Sequence, residues 1–466
     1  MEATFRDENN DTLRQALVDR LKNQGVIRTS QVEEAFRAVP RHMFVPEADS
    51  ATAYSDTHIV TRRQDDLPIS SCSQPQYIGA YLSDTSLWQD DLPISSCSQP
   101  SITAIMLEML DLQPGQRVLE IGAGTGYAAA LMAHLVGETG QVTLDLDEDI
   151  VNDAHAHLKA AGIDHVQVIC GDGALGWEEA TPYDRVVLTV GASDIAPAWR
   201  EQLRPGGRMV LPLQFTPFQS EIATIPMPPD QFLLALDRGD TCLESVDIRA
   251  CYFMTLRGAS AAVPTGPIAL GPVSGLACIA ADTIDRDTAF RALNSAPQDE
   301  VMGTPVAFAE LWGLRLWLAL REPHFCELYA KGEATRESSF PSLLRIADTF
   351  IVTIGLYESE TWSLLSLEED TTPAKDHRRP FKLTVRRFGP ERALTQRLQE
   401  QVTAWESAGH PFVWSAQGTM EGMHIRACPL ETDYIPQAHE TLLKKRWTQF
   451  AFTPQMNDPE NTTAEI

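Results

Sequence analysis

Leu13, Leu17 and Leu21 recur at every fourth position ahead of Gly25, the spacing of one helix face. Ser30-Gln-Val-Glu33 is a capping box that opens a second helix, and Pro40 stops it. From Ser101 the apolar positions Ile102, Ile105, Met106 and Met109 mark another helix. A buried strand at 117–121, a glycine-rich turn and a helix from Tyr127 to about Val136 follow. Further strands are predicted at 141–146, 166–170, 185–190 and 208–212, with a helix over 148–161 between two of them. Strands alternating with helices predict an α/β unit with a mainly parallel sheet.

After about residue 215 the alternation fades into a Pro/Gly/Ala-rich stretch at 258–281, and a strongly apolar segment at 306–320 reads as a buried helix. Leu311, Leu314 and Leu318 on it are expected in a core rather than a ligand groove. Strand-like runs at 344–357, 362–367, 381–388, 423–428 and 447–452, with a helix bearing Leu394, Leu398, Val402 and Trp405, predict an α+β unit. The division expected is therefore a first domain at 1–215, an α+β extension at 216–455, and a mobile tail at 456–466 that has almost nothing to bury. Within the first domain the N-terminal helices occupy 10–46 and the α/β core 101–215. Residues 47–100 read as irregular, and they contain QDDLPISSCSQP twice, at 64–75 and again at 89–100, an offset of 25 residues that marks a tandem duplication.

The chain of 466 residues carries 37 Lys plus Arg against 64 Asp plus Glu, a formal charge of -27, so long-range repulsion argues against a nucleic-acid partner. Its eight cysteines are scattered without a CxxC pair, which predicts reduced thiols and no metal site. The acidic start MEATFRDENN is unlike a signal peptide, and the longest uncharged run, 258–281, is broken by Pro264, Pro267 and Pro272. A cytoplasmic protein that does not engage a membrane is the expectation. Lys444-Lys445-Arg446 and Arg386-Arg387 read as solvated basic spots, and His155, His157 and His165 as surface.

Chemistry concentrates in VLEIGAGTGY, 118–127, where a strand ends in Gly122-Ala123-Gly124-Thr125-Gly126 and a helix begins. Glycines there let a cofactor approach the backbone at a helix N-terminus. The spacing fits a dinucleotide fingerprint as well, with Asp145 at the end of the next strand as a ribose-binding acid. Glu120, a carboxylate able to help seat a cationic cofactor, and Gly171-Asp172-Gly173, whose carboxylate can accept from an adenine amino group, favour S-adenosyl-L-methionine over NAD.

ALVDRLKNQGVI, PRHMFVP, ISSCSQPSITAIMLEML, LQPGQRVLEIGAGTGYAAALMAHLVG, the GDG at 171–173, PYDRVVLTVGA and LRPGGRMVLPL together resemble the protein-L-isoaspartate O-methyltransferase family, in collinear order over about residues 10–215. The resemblance implies a Rossmann-like class I S-adenosyl-L-methionine-dependent methyltransferase domain with a C-terminal α+β extension. It implies that Ser96 and Ser98 hold the substrate carboxylate. Glu120, Gly122, Ala123, Gly124, Thr125, Gly126, Asp145, Leu146, Asp172 and Gly173 would then form the cofactor site, with Asp145 on the ribose and Asp172 on the adenine. GQVTLDLDED is one residue shorter than the family pattern before the acidic position, which leaves Asp147 as an alternative to Asp145. The copy at 89–100 runs directly into the next helix and is assigned the function.

RACYFMTLRGA, LRLWLALREPHFCELYA and LLKKRWTQF are similar to the long extension of a subgroup associated with lanthipeptides and other ribosomally made, modified peptides, the FxLD-system methyltransferases. That resemblance implies methylation of an Asp side chain in a precursor peptide, leading to aspartimide and isoaspartate, with the extension recognising the peptide. The alternatives are an isoaspartyl repair methyltransferase, a non-catalytic module that binds cofactor and peptide, and an NAD-dependent oxidoreductase that rests on the glycine spacing alone.

Overall fold

The computed structural model describes residues 2–65, 91–138, 140–215, 231–261, 268–271, 275–280, 284–336, 340–346, 350–369, 381–414, 419–437 and 440–454. The first copy of the repeat from residue 66 onward and the tail from 455 lie outside the described residues.

Helices α1 (Glu2–Asn23), α2 (Ser30–Ala38) and the short α3 (Ser50–Ala53) precede a hairpin of β1 (Ile59–Asp65) and β2 (Asp91–Cys97). Residues 59–65 and 91–97 are thus more regular than their composition predicts, because β1 pairs antiparallel with the second copy of the repeat, Ile59 opposite Cys97 and Asp65 opposite Asp91. Thr29, one residue before the expected Ser30, caps α2 by accepting from the amide of Val32. Then come α4 (Pro100–Leu110), β3 (Val118–Ile121), α5 (Tyr127–Val136), β4 (Gln141–Asp145), α6 (Glu148–Ala160), β5 (Val166–Cys170), β6 (Tyr183–Leu188), α7 (Pro197–Gln202) and β7 (Leu203–Gln214). These strands lie parallel in the order β7-β6-β3-β4-β5, as the alternating pattern predicts.

The sheet does not end at residue 215. β8 (Gln231–Arg238) and β9 (Leu243–Cys251) add antiparallel to β7, and β20 (Met423–Pro429), β22 (Thr448–Pro454) and β21 (Thr441–Lys444) complete ten strands. Between β9 and β20 the chain builds a second, antiparallel sheet, in the order β10 (Ile268–Ala269), β11 (Leu276–Ala280), β13 (Phe325–Lys331), β15 (Phe350–Glu358), β16 (Thr361–Glu369), β17 (Phe381–Phe388) and β12 (Gln298–Val306). The expected boundary at 215/216 is corrected accordingly: the second sheet is an insertion into the first, and the chain returns to close the first. β14 (Leu344–Ile346) pairs with β15, β18 (Val413–Trp414) pairs with β19 (Met420–Glu421), and the helices of this part are α8 (Arg286–Leu293), α9 (Leu311–Arg321) and α10 (Arg392–Ser407).

One buried apolar cluster joins both sheets, running from Leu119 and Ile121 through Met209, Leu211 and Leu234 to Leu314, Trp317, Ile354 and Trp405. Leu311, Leu314 and Leu318 are buried in it. A second cluster packs α2, α4 and α5 on the opposite face of the parallel strands, through Phe36, Met106, Tyr127 and Val187. The thiol expectation needs one correction. Cys242 and Cys428 form a disulfide with Cα atoms 4.3 Å apart, because the antiparallel pairing of Ala427 with Leu243 sets them opposite each other, although 186 residues separate them in sequence. No helix among the described residues is long and apolar enough to cross a membrane.

Excision of residues 66–90 leaves one copy of QDDLPISSCSQP and lets Gln64, opposite Leu92, close a two-residue turn. The shortened protein is expected to melt cooperatively, within a few degrees of the full chain. A collapse of the transition in circular dichroism would show that the 25 residues are structural.

Candidate functional site

β3 is the point at which the chain reverses its direction of travel across the sheet, since β4 and β5 lie on one side of it and β6 and β7 on the other. Open α/β sheets form a crevice at the carboxyl ends of the strands at such a point. Here the crevice is an open cleft bounded by Gly122–Thr125, by Asp145 and Leu146 after β4, by Thr189 and Val190 after β6, and by Ser95, Ser96, Cys97 and Ser98. Gly122, Gly124 and Gly126 all have positive φ (102°, 51° and 84°), a conformation that favours glycine. Their turn delivers the N-terminus of α5 to the cleft, where unpaired amides favour an anionic or polar ligand.

The structure brings together Ser96, Ser98, Gly122, Ala123, Gly124, Thr125, Asp145, Leu146 and Gly173, all of which line the cleft. Asp145 accepts from the amides of Gly124 at 3.1 Å and Leu146 at 2.8 Å, which fixes its carboxylate at the end of β4. Burial raises its pKa, and those same amide hydrogen bonds pull it back down. Asp147 is turned to another task, an ion pair with Arg257. Between the two acids left open by the sequence, Asp145 is the one on the cleft wall.

Three sequence-predicted residues stand elsewhere. Gly126 is in the helix-entry turn, where a Cβ would come within 3.2 Å of the Ala154 carbonyl, but it is not on the wall. Asp172 lies behind Gly173, its carboxylate oxygens accepting from Ala174 N at 2.9 Å and from Ala259 N at 2.8 Å. Glu120 is completely buried beneath the cleft. Desolvation pushes its pKa up to about 8, against a smaller downward pull from Thr143, and the nearby Asp145 charge adds to the rise. Both its oxygens lack hydrogen-bond partners among the described residues apart from that weak Thr143 contact. Burial disfavours its charged form, and its carboxylate does not line the cleft.

Other residues of the site escape sequence reasoning. Met254, Thr255, Leu256 and Arg257 form a wall of the cleft although they follow β9, more than a hundred residues after the glycine turn. Their placement is made by Gln231, whose side-chain amide donates to Phe253 O at 3.0 Å and accepts from Phe253 N at 2.7 Å. The amide of Leu256 then donates to Gly191 O at 2.8 Å. RACYFMTLRGA was visible as a motif, but only the pairing of β9 with β8 brings it to the cleft. His157 is corrected from surface to support: its Nδ1 lies 3.0 Å from the Thr125 carbonyl and donates to it. Lys445 is likewise no solvated spot. Its ammonium donates to the carbonyls of Ser193 and Gln214 beside the rings of Phe215 and Phe450, and burial brings its pKa down to about 8.

The donor set fits a nucleoside cofactor with a charged tail: a fixed carboxylate for vicinal hydroxyls, backbone approach at three glycines, and an apolar flank from Ile121, Leu144 and Leu146. Residues 12–224 match the family described as Protein-L-isoaspartate(D-aspartate) O-methyltransferase (PCMT). The Protein-L-isoaspartate O-methyltransferase of Methanopyrus kandleri is 41% identical over 202 residues, 43% of this chain and 76% of the relative. Protein-L-isoaspartate O-methyltransferase 2 of Archaeoglobus fulgidus is 40% identical over 204 residues, 44% of this chain and 79% of the relative. Among solved structures, a protein-L-isoaspartate O-methyltransferase aligns over 89% of this chain and 96% of its own at 20% identity, with a TM-score of 0.45.

The fold accepts the neutral form of Glu120, so its contribution to stability is full below about pH 4.5 and is lost as pH rises through 8. Glu120→Gln keeps the shape without titrating. It is expected to raise the melting temperature at pH 8 and to change it little at pH 4. An equal shift at both pH values would mean that Glu120 does not titrate in the folded protein.

Proposed function

This chain belongs to the protein-L-isoaspartate O-methyltransferase family, and from that premise we propose that it methylates a peptide carboxylate held at Ser96 and Ser98. It is an S-adenosyl-L-methionine-dependent enzyme with the class I methyltransferase fold. The observation that carries the site assignment is the facing of two loops across one cleft, the glycine turn 122–126 on one side and the second-copy serine turn 95–98 on the other.

The cofactor, when bound, supplies an electrophilic methyl group. Asp145 and the glycine turn would hold it, and the chain's own contribution to chemistry is then positional. A carboxylate is ionised at neutral pH and attacks without a strong general base, so no proton has to be removed in the step. Ser96 and Ser98 orient the carboxylate by hydroxyl donation, and Met254 to Leu256 cover the cleft against water. Held by Asp145 and the glycine turn, the cofactor would supply its methyl group to a carboxylate oxygen oriented by Ser96 and Ser98, with a methyl ester and S-adenosyl-L-homocysteine as products.

For the substrate, we favour an Asp side chain of a dedicated precursor peptide, whose ester closes to an aspartimide and opens to isoaspartate. Methanol leaves more readily than hydroxide, which makes attack by the neighbouring backbone nitrogen feasible. Supporting this reading is the inserted second sheet, a unit that a repair enzyme with broad access to damaged proteins does not need. Repair of isoaspartyl proteins is the second reading, favoured by the names of the relatives.

Mass spectrometry of Asp-containing and isoaspartyl peptides, incubated with the protein and S-adenosyl-L-methionine, separates the two. Gain of one methyl or loss of one water on a particular Asp peptide is expected. Methylation of generic isoaspartyl peptides alone would establish repair, and no turnover on any carboxyl substrate would leave a binding module. Ser96→Ala combined with Ser98→Ala is expected to lower kcat/KM by at least about a hundredfold while S-adenosyl-L-homocysteine still binds. Retained turnover in that variant would remove the serine turn from the mechanism.

A further inference from the structure

Arg41, in the PRHMFVP segment, is not part of the cleft wall, and its side chain is completely buried. Its terminal nitrogens donate to the backbone carbonyls of Ala53 at 2.7 Å, Thr57 at 3.0 Å and Ser98 at 3.0 Å, with longer contacts to Ser55 at 3.4 Å and Cys97 at 3.5 Å. Every one of these acceptors is neutral. Its Nε is buried without a partner among the described residues. Asp56, the carboxylate nearest in sequence to these acceptors, accepts instead from the amide of Ser101 at 2.9 Å, at the start of α4. The guanidinium carbon also lies 5.8 Å from the centre of the Tyr127 ring, and burial holds that phenol protonated.

A guanidinium taken out of water ordinarily recruits a carboxylate, because an unpaired buried charge costs several kcal/mol. Carbonyl dipoles solvate this cation but leave its net charge in place. The charge sits directly behind the Cys97–Ser98 backbone, and Cys97 and Ser98 line the cleft on their other side. Arg41 and Cys97 are both buried, so a charge there acts on the cleft more strongly than it would across solvent. Arg257, the cation on the cleft wall, is paired with Asp147, and in a chain of net charge -27 the Arg41 cation gives the serine turn a local attraction for an anion.

We propose that Arg41 is a positioning residue for carboxylate recognition: it fixes the serine turn through the Ser98 and Cys97 carbonyls, and its charge makes the cleft select an ionised carboxylate over a neutral isostere. The inference rests on the reading of Ser96 and Ser98 as the carboxylate site. It adds a source of selectivity that two hydroxyl groups lack, since hydroxyls bond a carboxamide oxygen as readily as a carboxylate oxygen.

The test uses the full chain and, as competing ligands in the presence of S-adenosyl-L-homocysteine, the Asp or isoaspartyl peptide that it methylates and the carboxamide counterpart of that peptide. The wild-type protein is expected to prefer the carboxylate. Arg41→Gln is expected to lower that preference about tenfold, the loss of one charge-assisted interaction, while affinity for S-adenosyl-L-homocysteine stays within about twofold. Both peptides meet the same folded fraction, so the ratio is independent of any destabilisation. An unchanged ratio overturns the proposal and leaves Arg41 a structural residue. Should Arg41→Gln fail to fold, Arg41→Lys, with its charge kept and its fork of donors lost, is expected to lower kcat/KM about tenfold with cofactor affinity unchanged. Unaltered kcat/KM in Arg41→Lys likewise overturns it. A wild-type protein that methylates peptide carboxyls without requiring Ser96 or Ser98 would instead defeat the underlying reading of the site.

Discussion

Close approach of backbones at the carboxyl end of β3 is the constraint on which the site depends. A Cβ on Gly122 would meet Thr189 Oγ1 at 2.7 Å, one on Gly124 would meet the Ser96 carbonyl at 3.3 Å, and one on Gly126 would meet the Ala154 carbonyl at 3.2 Å. Each glycine therefore yields space to a different element, the end of β6, the serine turn and α6. Three segments distant in sequence converge on one five-residue turn, and their convergence is what makes a cleft rather than a packed corner. Positive φ at all three positions places the same demand on the backbone.

Around that turn the structure is stiffened by side chains that bind backbone rather than ligand. Arg41 gathers carbonyls from Ala53 to Ser98, Gln231 clasps Phe253, His157 holds Thr125, and Lys445 joins Ser193 to Gln214. Buried main-chain groups have to be satisfied where regular pairing stops. Polar side chains that do so also fix the loops that carry the chemistry. The inserted sheet is tied into the same arrangement, because it shares a core with the parallel strands and because β20 and β22 return beside β9.

The first sheet through β7 and the helices α9 and α10 were legible in the sequence, because their apolar periods are strong and local. β8 and β9 were not. β8 is buried on both faces over its first six residues, and in β9 a bulge at Val246 interrupts the alternation, so neither carries a distinct period-two signal. The hairpin β1–β2 was read as irregular because Ser, Asp and Pro dominate its composition, yet pairing with the second copy of the repeat overrides propensity. Glu120 and Asp172 were read by residue type. Burial neutralises the first, and backbone amides from 174 and 259 occupy the second.

What the sequence determined by itself is the alternation of strand and helix, the glycine turn with its acidic partner Asp145, and the duplicated serine segment, all set by short-range pattern. Only the tertiary structure decided which distant segments complete the cleft. Met254 to Arg257, Arg41 and the Cys242–Cys428 pair are separated from their partners by long stretches of chain, and pairing across such distances is fixed by strand order and core packing, which no local pattern encodes.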